Sequence, residues 1–278
     1  MKLRRRDLLA AAGAAPAAAW AQSSVARKKK VLRLPLVSPE TTFDPVQTNS
    51  DLNTGTILAH IFEAPLTYDY LARPARLVRS TAAAMPEVSA DGKVFTVRLA
   101  QGIVFADDPA FKGRRRELTA ADYVYSIKRF YDPKYNSSDL YLYETLKLPG
   151  LAALRERALK TRQAFAYDTA VDGIRALDRY TLRITLGVAN PRFIYLIADP
   201  VYFGAVAREV VEHDGAEIGA HPVGTGAFVL KSWRRAARSA WPSTATPTSA
   251  ACSAAWPFPR NRPSRPSPRA MTRPTRAR

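Results

Sequence analysis

Residues 85–99 read Met85-Pro86-Glu87-Val88-Ser89-Ala90-Asp91-Gly92-Lys93-Val94-Phe95-Thr96-Val97-Arg98-Leu99. Asp91-Gly92 is a hairpin signal, because a tight turn needs positive φ and glycine adopts it without steric cost. After the turn, Phe95, Val97 and Leu99 alternate with Val94, Thr96 and Arg98, which predicts a strand with one buried face. Twenty residues on, Thr119-Ala120-Ala121-Asp122 has the capping-box spacing that opens a helix. That helix is predicted to run through Phe130 and to stop at Asp132-Pro133. A hairpin feeding a helix sets the class as mixed α/β.

The flanking sequence extends this pattern in both directions. Residues 31–37 read as a strand that Pro35 confines to an edge. A helix is expected over 54–62, with Asp51 or Asn53 as its N-cap. Further helices are expected over 151–165, from Asn190-Pro191, and over 204–213. Asp178-Arg179 turns into a strand over 180–186, and Gly224-Thr225-Gly226 leads into one over 227–233. About 200 residues of this kind suffice for a core. No internal repeat is present.

The pattern breaks after Trp233. Residues 234–278 are 45 in number, 39 of them Ala, Pro, Arg, Ser or Thr, with no Asp, Glu, Gly, Leu, Ile, Val or Tyr. Such a composition cannot offset the entropy of ordering, so a disordered tail is expected. The same alphabet is what GC-rich coding sequence yields in a shifted frame. The overall charge of +18 is also confined to the ends. Residues 1–30 carry +7 and the tail +10, which leaves residues 31–233 at +1.

At the amino terminus, Lys2 and Arg4-Arg5-Arg6 precede a short apolar run, and Ala19-Trp20-Ala21 fits an export cleavage site after Ala21. Arg5-Arg6-Asp7-Leu8-Leu9 resembles a twin-arginine signal, and a general secretory signal is the other reading. Residues 1–21 are therefore read as an export signal and 22–30 as a basic linker. The destination is the periplasm.

Catalytic and metal chemistry find little support in the sequence. The single cysteine, Cys252, lies in the tail, and His60, His213 and His221 lack zinc-site spacing. Gly224-Thr225-Gly226 has no lysine after it, so it reads as a hinge turn and not a phosphate loop. Arg114-Arg115-Arg116, the one central basic cluster, reads as a solvated loop, which argues against specific nucleic-acid binding. No nucleophile, base or metal constellation is apparent, so neither an enzyme nor a cofactor is expected.

Six motifs, in order, resemble the extracellular solute-binding proteins of the dipeptide/oligopeptide/nickel family. They are Phe43-Asp44-Pro45, Ile61-Phe62-Glu63-Ala64-Pro65-Leu66, the stretch from Met85 to Leu99, Leu118 to Ser126 with Arg129 and Asp132-Pro133, Ala176-Leu177-Asp178 before Thr181-Leu182, and Gly224 to Phe228 with Lys231 and Trp233. Ala100 departs from a basic residue common in the family. After Trp233 nothing matches the continuation into a second lobe.

The resemblance implies lobe I, residues 31–233, of a two-lobed periplasmic binding protein whose second lobe is absent. It implies a peptide ligand, an inner-membrane ABC permease as partner and a monomeric state. It also places ligand contacts at Asn49, Ser50 and Asp51 and at Tyr141. From the residues alone, 49–51 equally read as a helix cap, and Tyr141 as core packing or a loop anchor. A truncated product without transport activity is the competing reading, and the other reading frames beyond codon 233 would decide it.

Overall fold

The structure is a computed structural model and describes residues 40–48, 52–234 and 249–254, with Arg234 and 249–254 described by backbone. The strand expected over 31–37, the export signal and most of the tail lie outside these residues. In chain order the elements are α1 (Leu52–Ile61), β1 (Leu66–Tyr68), β2 (Leu77–Arg79), β3 (Glu87–Val88), β4 (Val94–Arg98), α2 (Ala120–Tyr131), α3 (Leu140–Glu144), α4 (Leu151–Thr161), β5 (Ile174–Ala176), β6 (Thr181–Thr185), α5 (Phe193–Leu196), α6 (Pro200–Phe203), α7 (Arg208–Asp214), β7 (Phe228–Arg234) and β8 (Ser249–Ala254).

The 85–99 hairpin forms as read. Gly92 takes φ +68, β3 pairs antiparallel with β4, and Phe95, Val97 and Leu99 are buried. β4 then pairs with β6, bringing Phe95 opposite Ile184 and Val97 opposite Leu182, and β5 closes an antiparallel sheet in the order β3-β4-β6-β5. α2 packs on β5 and β6 and buries Tyr123 and Ile127. Its start is the predicted capping box, with the Thr119 N–H donating to Asp122 Oδ2 at 2.7 Å. β1 and β2 make a separate two-stranded ribbon.

Several boundaries differ from the sequence reading. α1 begins at Leu52, so Asn53 lies inside the helix and is not its cap. α4 ends at Thr161 and not 165, because Arg162 turns left-handed at φ +55. Only Arg208 onward is helical in the stretch expected to be one helix over 204–213. Gly204 and Ala207 are extended, and the Val206 N–H donates to Ser126 Oγ at 2.8 Å, a tertiary bond that replaces the helical one. The tail contributes one described element, β8, paired antiparallel with β7. Ser249–Ala254 falls within the longest proline-free stretch of the tail, so every residue there keeps the N–H that a ladder requires.

Candidate ligand-binding surface

Phe43-Asp44-Pro45 forms an anchor. Phe43 is buried, its N–H donates to the Gly219 carbonyl at 2.8 Å, and its ring meets Trp233 edge-on with centroids 5.0 Å apart. Trp233 in turn donates Nε1–H to Glu40 Oε2 at 3.4 Å. Asp44 caps the short 3-10 turn Pro45–Gln47 and accepts two bonds from Arg129, at 2.9 and 2.7 Å. The Arg129 guanidinium also lies 4.4 Å from the Tyr135 ring centroid. The chain is therefore held firmly up to Thr48, whose hydroxyl donates to the Pro45 carbonyl. Asn49, Ser50 and Asp51 come next and lie outside the described residues. α1 starts immediately after them at Leu52, an exposed leucine.

Tyr141 lies on α3 and is 57% exposed. Core packing is therefore not its role, and Tyr143, two residues on, does that work. Tyr143 is fully buried, packs on Phe130 with ring centroids 4.6 Å apart, and donates its hydroxyl to the Tyr202 carbonyl of α6. α6 also faces α1, where a Cβ at Gly55 would come 3.5 Å from Val201 Cγ2. Thus α1 and α3, which border or carry the predicted contacts, both rest on α6. Asp199 caps α6 by accepting from the Val201 N–H at 2.9 Å, and burial raises its pKa above the ordinary 3.8. Sequence reasoning missed α6; its Asp199-Pro200 start was the available signal.

Gly224-Thr225-Gly226, read as a hinge turn, has a packing role within the lobe. These residues lie against the carboxyl end of α1, where the Gly226 N–H donates to the Ile61 carbonyl at 2.7 Å. A Cβ on Gly226 would stand 2.6 Å from that oxygen, so only glycine permits the approach. The solvated-loop reading of Arg114-Arg115-Arg116 holds for the first two residues alone. Arg116 is largely buried and bridges Asp122 at 2.6 Å and Glu209 at 2.8 Å. His60 sits on α1 with Nδ1 2.7 Å from the Thr56 carbonyl, a structural placement. Among the described residues no group of His, Cys, Asp and Glu could hold a metal ion, and no helix is long and apolar enough to cross a membrane.

Residues 76–240 match the family described as bacterial extracellular solute-binding proteins, family 5 middle. The chain is 29% identical over 158 residues to di/tripeptide-binding protein 2 of Pseudomonas aeruginosa, covering 55% of this chain and 26% of that protein. It is 27% identical over 195 residues to the glutathione-binding protein GsiB of Escherichia coli, covering 70% of this chain and 31% of that one. The chain thus spans about a quarter to a third of the curated relatives' length.

Among solved structures, the fold matches the peptide-binding pheromone receptor PrgZ, with TM-score 0.55 and 23% identity over 72% of this chain and 36% of that one. It also matches a periplasmic oligopeptide-binding protein from Borrelia burgdorferi, with TM-score 0.57 and 24% identity over 71% and 36%. Likeness at that identity speaks for the fold alone. The mixed α/β architecture and the family match agree, and the chain belongs to the bacterial extracellular solute-binding proteins of family 5, which bind solutes and are not enzymes.

Proposed function

We propose that this chain supplies one wall of the peptide-binding clamp of an ABC importer, in the periplasm, as a monomer that delivers its ligand to an inner-membrane permease. The export signal is cleaved after Ala21 on this reading, residues 31–233 form the binding lobe, and the twin-arginine route is the one used. Asn49, Ser50 and Asp51 meet the ligand backbone, and Tyr141 lies against it. The observation that carries the proposal is Tyr141, a large aromatic left 57% exposed on α3 while its neighbours Leu140 and Tyr143 are buried. Exposed aromatics on rigid elements are favoured binding anchors. The names of the relatives, a di/tripeptide-binding and a glutathione-binding protein, support a peptide as ligand.

One wall gives only part of a clamp's contacts and no closure around the ligand. If half the interaction free energy of a micromolar site is available, about −4 of −8 kcal/mol, binding falls to near-millimolar. The test is an NMR titration of the chain with trialanine. Saturable shifts at the start of α1 and on α3, with a near-millimolar Kd, are expected. Micromolar affinity would refute the one-wall reading, and no shift at α3 would refute the assignment of Tyr141.

A further inference from the structure

A groove of about 540 Å³ lies along α2, with residues of β5, α7 and the 167–168 segment forming its other sides. This is the size of a small-molecule site. Its charges are distributed unevenly. Arg116 serves two carboxylates, Asp122 and Glu209, at 2.6 and 2.8 Å. Arg208 also serves two, Asp168 at 2.5 Å and Glu212 at 2.6 Å, while its guanidinium lies over the Tyr125 ring at 5.7 Å. Arg175, the remaining lining arginine, pairs with Asp172 at 3.3 Å, and Lys128 is the exception. It is only 3% exposed, and its ammonium donates to the carbonyls of Tyr167 and Thr169 at 2.6 and 2.8 Å. Among the described residues no carboxylate hydrogen-bonds to it. An ammonium has three donors, so one remains uncommitted.

We infer that this groove binds a small zwitterion, with the ligand's carboxylate on Lys128 and its ammonium on the Glu209 and Glu212 carboxylates of α7. A simple anion would satisfy Lys128 but would meet the four lining carboxylates. A simple cation would find acids but would leave Lys128 facing a like charge. Only a ligand carrying both charges meets each end with its complement. The two charges are offered from different elements, α2 and α7, so an ω-amino acid, whose charges stand apart, is the ligand class to try; its methylene chain would lie on Val124 and Ile174, which line the groove.

The test follows backbone amides of α2, β5 and α7 by NMR while the chain is titrated with 5-aminopentanoate, pentanoate or pentylamine. Saturable shifts are expected with 5-aminopentanoate, and at least tenfold weaker binding with each single-charge analogue. Lys128→Gln should abolish the response, and Glu212→Gln should weaken it at least threefold. Should Lys128→Gln lose its fold, the exposed Glu212→Gln decides the matter. The inference is overturned if pentanoate binds as tightly as the zwitterion, if Glu212→Gln changes nothing, or if no saturable shift appears at millimolar ligand. Shifts confined to α3 and the start of α1 would also overturn it, since they would report the proposed peptide surface instead.

Discussion

Asp44 and Arg129, 85 residues apart in sequence, are joined by two parallel hydrogen bonds and are 0% and 1% exposed. This pair ties the segment leading to residues 49–51 onto α2. Two charges taken from water are stable only as a pair, so removing one partner strands the other. Asp44→Ala should cost about 3–5 kcal/mol of unfolding free energy in urea denaturation. The double variant Asp44→Ala, Arg129→Met should recover a substantial part of that. Additive losses would mean that the pair is not coupled.

Gly226 has no room for a side chain beside the Ile61 carbonyl. Gly226→Ala should destabilise the lobe by about 1–3 kcal/mol, the usual cost of overpacking a tight contact. The loss should appear in thermal melts. It should also raise hydrogen exchange at the end of α1, where the Gly226–Ile61 bond caps the helix. Unchanged exchange there would show that the strand entering β7 can move aside.

Tyr141 makes the opposite prediction. Being exposed, Tyr141→Ala should shift stability by no more than about 0.5 kcal/mol, as surface changes do. It should nevertheless weaken trialanine binding several-fold in the same NMR titration. A variant that loses stability without losing affinity would return Tyr141 to a structural role.

Asp199 should give a pH-dependent effect. Burial raises its folded pKa above the ordinary 3.8, so its ionised form is disfavoured in the native state. The fold pays this penalty above the folded pKa, and it fades as pH falls through that value towards 3.8. Asp199→Asn keeps an N-cap acceptor and removes the charge. The variant should therefore match or exceed the parent in urea stability at neutral pH, and the gap should close in acid. A variant less stable than the parent at neutral pH would contradict this account.

β7 has β8 along one edge, and β8 comes from the tail. A chain ending at Arg234 should leave that edge of β7 open and self-associate more readily, as measured by sedimentation velocity. The same truncation removes most of the tail's arginines and should markedly weaken salt-dependent retention on heparin, leaving only what Arg27 and Lys28 to Lys30 contribute. A truncated chain that remains monomeric at high concentration would show that β8 protects nothing.

Periodicity and turn chemistry by themselves determined the parts of this protein whose physics is local. The 85–99 hairpin depends on Asp91-Gly92 and an alternating face, and α2 on a capping box and a terminal Asp-Pro, all within a few residues of one another. The order of six motifs pointed to the family for the same reason. Tertiary structure decided what sequence neighbours cannot. Residues 204–207 are kept out of a helix by Ser126, 80 residues away, which accepts the Val206 N–H between the extended Gly204 and Ala207. Gly224 and Gly226 are glycines because α1 ends against them. Arg116 left the basic cluster because Glu209 lies 93 residues further on and reaches it. The groove beside Lys128 is assembled from four separate stretches of chain, and its balance of charge exists only once they are folded together.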